Sequence, residues 1–178
     1  MPLKILTALL VCARIILCTA DSYGAAIETR YSSIIYDNEQ QLLQFNRELV
    51  IGSAFSFLFG GNKGVTVADD IKNKVDMVVE KVENILEMYP VALKFSIVLL
   101  ASEHGVERVY MAKYQRQASY VAFYAPGEKT IYISARDAEL QVIGHEIAHV
   151  VIHNYLRIAP SAKIHEVLAQ YVATHLGE

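Results

Sequence analysis

Residues 145–149 read His-Glu-Ile-Ala-His, two imidazoles four positions apart with a carboxylate after the first. On a helix this spacing puts both imidazoles on one face, about one turn apart. Their ring nitrogens can then converge on one zinc ion at about 2.0–2.1 Å. Glu146 stands about 100° around the helix from His145, off that stripe. It can reach a water at such a cation, where a general base is needed. Metal-assisted hydrolysis is therefore the chemistry these five residues could carry. The plainer alternative is a helix whose histidines are merely hydrogen-bonded.

A tetrahedral catalytic site needs a third protein ligand. His153 continues the series from His145 and His149. It lies only about 80° around from His145, but about 12 Å farther along the axis. On a straight helix those two side chains cannot meet at one ion, so His153 is expected to pack or to support. The better candidate is on the next helical segment, KIHEVLAQYVATHL, where Glu166, Ala169 and Gln170 share a face. A short connection after Leu156 makes two packed helices the natural arrangement. That can bring Glu166 to the histidine pair and complete a His-His-Glu set with a fourth position for water. Ala169 leaves room for close approach, as do Gly144 and Ala148 beside the histidines. Gln170 could accept a hydrogen bond from a ligand imidazole and fix its tautomer. His165 competes with Glu166 but points about 100° away from it, so only one of the two can face the ion; Glu166 is the favoured one.

HEIAH followed by HEVLAQYV resembles the gluzincin metallopeptidases, whose third ligand is a glutamate on a helix after the HExxH helix. Many of them read E-x-L-A-x-Y there, and Glu166 to Tyr171 fits. The resemblance covers about residues 118–176, and the small size is similar to minigluzincins. It implies zinc held by His145, His149 and Glu166, with Glu146 as general base and acid in peptide hydrolysis. VAFYAPGEKTIYIS is similar to the strands at the upper rim of the cleft in such enzymes. The metzincin layout is not met, since it needs Gly at 152 and His at 155, where this chain has Ile152 and Tyr155. Larger gluzincins stabilise the oxyanion with a Tyr or His from a C-terminal subdomain. About a dozen residues follow Glu166 here. Tyr155, Tyr171, His153 and His165 are the candidates for that role.

These residues must be positioned by a fold, and its elements are legible. IETRYSSIIY (27–36) reads as a strand, from its β-branched and tyrosine content. DNEQQLLQFNRELVI follows as a helix capped by Asp37 or Asn38, with Leu42, Leu43, Phe45 and Leu49 apolar. Residues 52–66 read as a flexible Phe- and Gly-rich loop. Two roles are open for it: packing its aromatics on the next helix, or lying in the cleft as an inhibitory segment. Ile71, Val75, Val78, Val82, Ile85 and Leu86 then recur at helical spacing before Pro90. LKFSIVLLAS (93–102) reads as a buried strand and EHGVERVYMAKYQRQ as a short helix. ASYVAFYA and TIYISA flank the turn PGEK (126–129), which makes a hairpin. The motif helix runs from a cap at or before Asp137 to about Leu156, and Ser161 caps the last helix. The expected class is α+β: a small mixed sheet with the hairpin at its upper rim, packed on the HExxH helix, the glutamate helix and a long backing helix. The edge of the hairpin near Tyr120 to Tyr124 could hold an extended peptide by strand addition.

Composition narrows the function classes. The chain has 178 residues, 53% of them hydrophobic, with a net charge of −3. That suits one domain with a sizeable core and gives no basic excess for nucleic acid. Residues 1–20, MPLKILTALLVCARIILCTA, have the basic start, apolar run and small-residue end of a signal peptide. Residues 21–178 would then be one exported domain, secreted or periplasmic, touching a membrane only through an uncleaved leader. Both cysteines, Cys12 and Cys18, lie in this leader. Without it there is no disulfide and no thiol ligand or nucleophile, so a metal site must use His and carboxylate. Two functions are carried forward: a zinc metallopeptidase acting on a peptide or protein, and a zinc-binding interaction module with little or no turnover.

Overall fold

The run at 27–36 folds as two strands, not one: Ala25–Glu28 (β1) and Ser32–Tyr36 (β2), paired antiparallel. A hydroxyl makes the break. Thr29 Oγ1 accepts the N–H groups of Tyr31 and Ser32, so the chain turns without Gly or Pro. The computed structural model describes residues 24–52, 66–158 and 160–177. The leader expected at 1–20 and positions 53–65 of the Phe/Gly-rich loop lie outside them.

Asn38, one of the two expected caps, accepts the N–H of Gln41 and starts α1 (Glu39–Glu48). Its apolar face buries Leu42, Phe45 and Leu49, but Leu43 is exposed because it lies about 100° off that face. Thr66 caps α2 (Val67–Leu86), the long backing helix. Ile71, Val75, Val78 and Val82 fall on one stripe and are fully buried. Burying each such side chain stabilises the fold by about 1.5–3 kcal/mol. The helix stops at Glu87, which takes a left-handed conformation (φ 53°), so the N–H groups of Glu87 and Met88 can satisfy the carbonyls of the last turn.

The remaining elements are β3 (Phe95–Leu100), α3 (Glu103–Tyr114), β4 (Ala122–Ala125), a 3-10 turn at Pro126–Glu128, β5 (Thr130–Ser134), α4 (Leu140–Tyr155) and α5 (Ala162–His175). β4 is shorter than the apolar run 118–125, and it pairs antiparallel with β5 across the PGEK turn. The sheet order is β1-β2-β3-β5-β4, with β2, β3 and β5 parallel and both outer strands antiparallel. This is the α+β class expected.

Side-chain alternation along β3 divides the core. Phe95, Ile97 and Leu99 face a large cluster with α1, α2, α4 and α5, while Val98 faces a smaller one with Val106, Phe123 and Tyr132. α3 therefore covers the opposite face of the sheet from the other four helices. β4 is left as an outer strand, with its open edge beside α4.

Candidate metal centre

After β5 the chain turns through Ser134 to Asp137 before α4 begins. Asp137 does not cap the helix as expected. Its carboxylate accepts the Ser134 hydroxyl within that turn, and the N-cap position is Glu139, without a side-chain bond. α4 is apolar on most sides, and Ile143, Ile147, Val150, Val151 and Ile152 are fully buried. Its position is fixed by the core and not by its cap.

His145 and His149 leave α4 one turn apart, as the motif requires. Their Nε2 atoms are 3.1 Å apart. From the first turn and a half of α5, Glu166 reaches both, with Oε1 3.2 Å from His145 Nε2 and Oε2 3.6 Å from His149 Nε2. A tetrahedral ion with bonds of about 2.0–2.1 Å holds its ligands about 3.3–3.4 Å from one another. The three separations straddle that value, so this donor set fits zinc. No other group of three or more His, Cys, Asp or Glu side chains among the described residues converges so closely.

The closeness of α4 and α5 has a local cause. A methyl group at Gly144 would lie 1.9 Å from Leu176 Cδ1. Only glycine lets Leu176 seat there, and Ala169 and Val172 bury along the same contact. Ser161 Oγ accepts the N–H of Ile164 and starts α5 as expected. With the α5 axis so fixed, Glu166 in its second turn points back at the histidines.

Protonation suits ligation. His149 is held neutral, its pKa pushed down to about 3, first by burial and then by the neighbouring His145 and His165. A neutral imidazole offers the lone pair a metal needs. His165, whose own pKa is lowered mainly by burial, stacks on His149 with ring centres 4.8 Å apart. The two Nδ1 atoms are 2.7 Å apart. At that separation one ring must donate to the other; with the proton on His149 Nδ1, His149 Nε2 is left free for an ion. Supporting a ligand imidazole was expected of Gln170. Gln170 instead lines the cleft, because α5 is rotated so that residue 165 meets the back of His149. His153 is not part of the converging group; its ring meets Tyr124 edge-on at 6.0 Å.

Glu146 points from α4 toward the open edge of β4. Its carboxylate is buried and accepts the backbone N–H of Tyr124. Burial raises its pKa to about 8; the Tyr124 N–H opposes the shift and Glu166 adds to it.

Two hollows flank the cluster, and both are lined by Tyr120, Ala122, His145 and Glu146. One, of 390 Å³, is walled by Tyr110, Tyr114 and Phe123; the other, of 380 Å³, by Ser119, Val142, Gln170 and Ala173. None of the four residues considered for the oxyanion role lines either hollow. Tyr171 stacks on His175, Tyr155 is exposed at the end of α4, His165 lies behind His149, and His153 sits against Tyr124. Tyr110 and Tyr114 were missed as site residues. Their spacing of four on α3 was the available signal, but nothing in it shows that the helix reaches the cleft.

No family model matches the chain, and neither a curated protein nor a solved structure matches it.

Proposed function

We propose that this chain is a zinc-dependent peptidase of the gluzincin type. The observation that carries the reading is the convergence of His145, His149 and Glu166 at ligand spacing, with Glu146 facing the same cleft. Zinc, when bound, would lower the pKa of a coordinated water toward about 7 and polarise the scissile carbonyl.

The protein's own groups supply the remainder. Val121 C=O accepts from Ser134 in β5, so by strand alternation the N–H and C=O of Ala122 point off the open edge. An extended peptide can pair there by strand addition, which brings its backbone alongside Glu146. Ionised Glu146 is a strong base because burial disfavours its charge. It takes the proton of the attacking water and delivers it to the leaving nitrogen. The Tyr124 N–H orients the carboxylate through both transfers.

A non-catalytic zinc-binding module is the second reading, favoured by the distance of the four oxyanion candidates from the cleft. Glu146→Gln separates the two. The variant should bind zinc as the parent does and lose cleavage of a peptide library by at least about a hundredfold. Undiminished cleavage would sink the assigned mechanism, and no cleavage by either protein would favour the module. Export rests on residues 1–20 alone, and N-terminal sequencing of the secreted product tests it.

A further inference from the structure

Five aromatic rings run in contact from the far core of the sheet to the cleft. Phe123 on β4 stacks on Tyr132 at 5.1 Å and meets the edge of Tyr110 at 5.1 Å. Tyr110 in turn meets Tyr114 at 4.8 Å and Tyr120 at 4.9 Å. At one end Tyr132 and Phe123 are 5% and 7% exposed and serve the core. At the other, Tyr114 and Tyr120 are 42% and 44% exposed. Stability does not call for two half-exposed rings held around a hollow.

That hollow is the 390 Å³ one that also contains His145, Glu146, His149 and Glu166. It lies near the small end of ligand pockets, suited to one large side chain and not to a whole peptide. Its walls away from the two histidine and glutamate helices, Tyr110, Tyr114, Tyr120 and Phe123, carry no charge. The acidic groups in it are Glu146, which serves the reaction, and Glu166, which faces the imidazoles. A cationic side chain would therefore find no carboxylate along those walls, whereas an aromatic one finds ring edges and faces there. The hollow across the cleft has no such wall apart from Tyr120, which both share.

Resting on the peptidase reading, we propose that Tyr110, Tyr114, Tyr120 and Phe123 form a subsite for a large neutral aromatic side chain, on one side of the cleaved bond only. The subsite is made by α3 (Tyr110, Tyr114), β4 (Phe123) and the link between them (Tyr120), all outside α4 and α5, so its α3 residues can be altered without touching those helices.

The test uses the zinc-loaded full chain carrying Glu146→Gln, titrated calorimetrically with tetrapeptides that differ only in Phe, Ala or Lys at one position. Phe should bind about tenfold tighter than Ala at one position, with Lys no tighter than Ala. Adding Tyr114→Ala should cut the Phe advantage to under about threefold, with the circular dichroism spectrum unchanged. Equal binding of Phe and Ala at every position, no binding, tighter binding of Lys, or a Phe advantage that survives Tyr114→Ala overturns the proposal. Cleavage of the same peptides by the parent protein keeps the two readings apart. Cleavage without an aromatic preference removes the subsite and leaves the peptidase. Aromatic-selective binding without cleavage removes the peptidase and leaves the subsite.

Discussion

The two helices that build the candidate metal centre hold their candidate ligands in opposite ways. α4 has eight of its sixteen residues buried, and the side chains of His145 and His149 are only 19% and 16% exposed. α5 buries three, and its ligand Glu166 is 62% exposed. One half of the centre is thus set by the core before any ion arrives. The other is an exposed side chain brought near by a glycine contact. Pre-set ligands bind without loss of side-chain freedom, whereas Glu166 must be immobilised when the ion binds.

The largest effects should fall on the buried half. Structural zinc sites bind with about 10–16 kcal/mol over four ligands, so one well-held ligand is worth about 2.5–4 kcal/mol. His149→Ala should weaken zinc binding by about two to three orders of magnitude in a competition titration. Glu166→Ala should cost about tenfold to a hundredfold, because water can take the place of an exposed oxygen. Equal losses for the two would erase the distinction between the helices. His165→Ala removes the partner of His149 Nδ1, not a ligand. It should lower zinc affinity by about tenfold, at the small end for such a supporting group; affinity unchanged would mean the stack is only packing.

The pH dependence of the metal-free protein reads the same burial. Glu146 titrates near 8 in the fold against an ordinary value of 4.5, so the unfolded chain loses this proton first. Stability on its account falls as pH rises from 4.5 through 8. His149 titrates near 3 against an ordinary 6.5, so the unfolded chain gains that proton first, and stability on its account falls as pH drops from 6.5 toward 3. The two oppose between 4.5 and 6.5, which places the stability maximum there. From pH 6.5 to 8 only Glu146 acts, and Tm should drop by about 5 °C. Zinc, whose charge keeps Glu146 ionised, should flatten that drop, as should Glu146→Gln. A drop that persists in the variant would remove Glu146 as its cause.

The smallest effect belongs to the contact that joins the helices. Gly144→Ala must displace Leu176, costing about 1–3 kcal/mol, while alanine returns about 1 kcal/mol of helix propensity. Chemical denaturation should show a net loss of about 1 kcal/mol. A variant more stable than its parent would show that the close approach is not needed.

What was legible in the sequence was local. His145 and His149 share a helix, so spacing alone gives their geometry, and the same spacing dismisses His153. Glu166 was reachable because one short connection joins its helix to theirs. The hairpin announced itself through PGEK. The turn at Thr29 did not, because a hydroxyl makes it inside a run rich in strand-forming residues. The parts left unread depend on how elements rotate about one another. Whether residue 165 or 170 of α5 meets His149 is decided by its roll against α4. Whether Tyr110 and Tyr114 reach the cleft is decided by α3 lying over the far face of the sheet.

X-ray absorption at the zinc edge of the loaded protein reads the ligand set itself. Two imidazole nitrogens and one or two oxygens are expected, all at about 2.0–2.1 Å, with one oxygen ligand exchanged in Glu166→Ala. A shell of three imidazoles, or a six-coordinate shell of oxygens, would contradict that expectation.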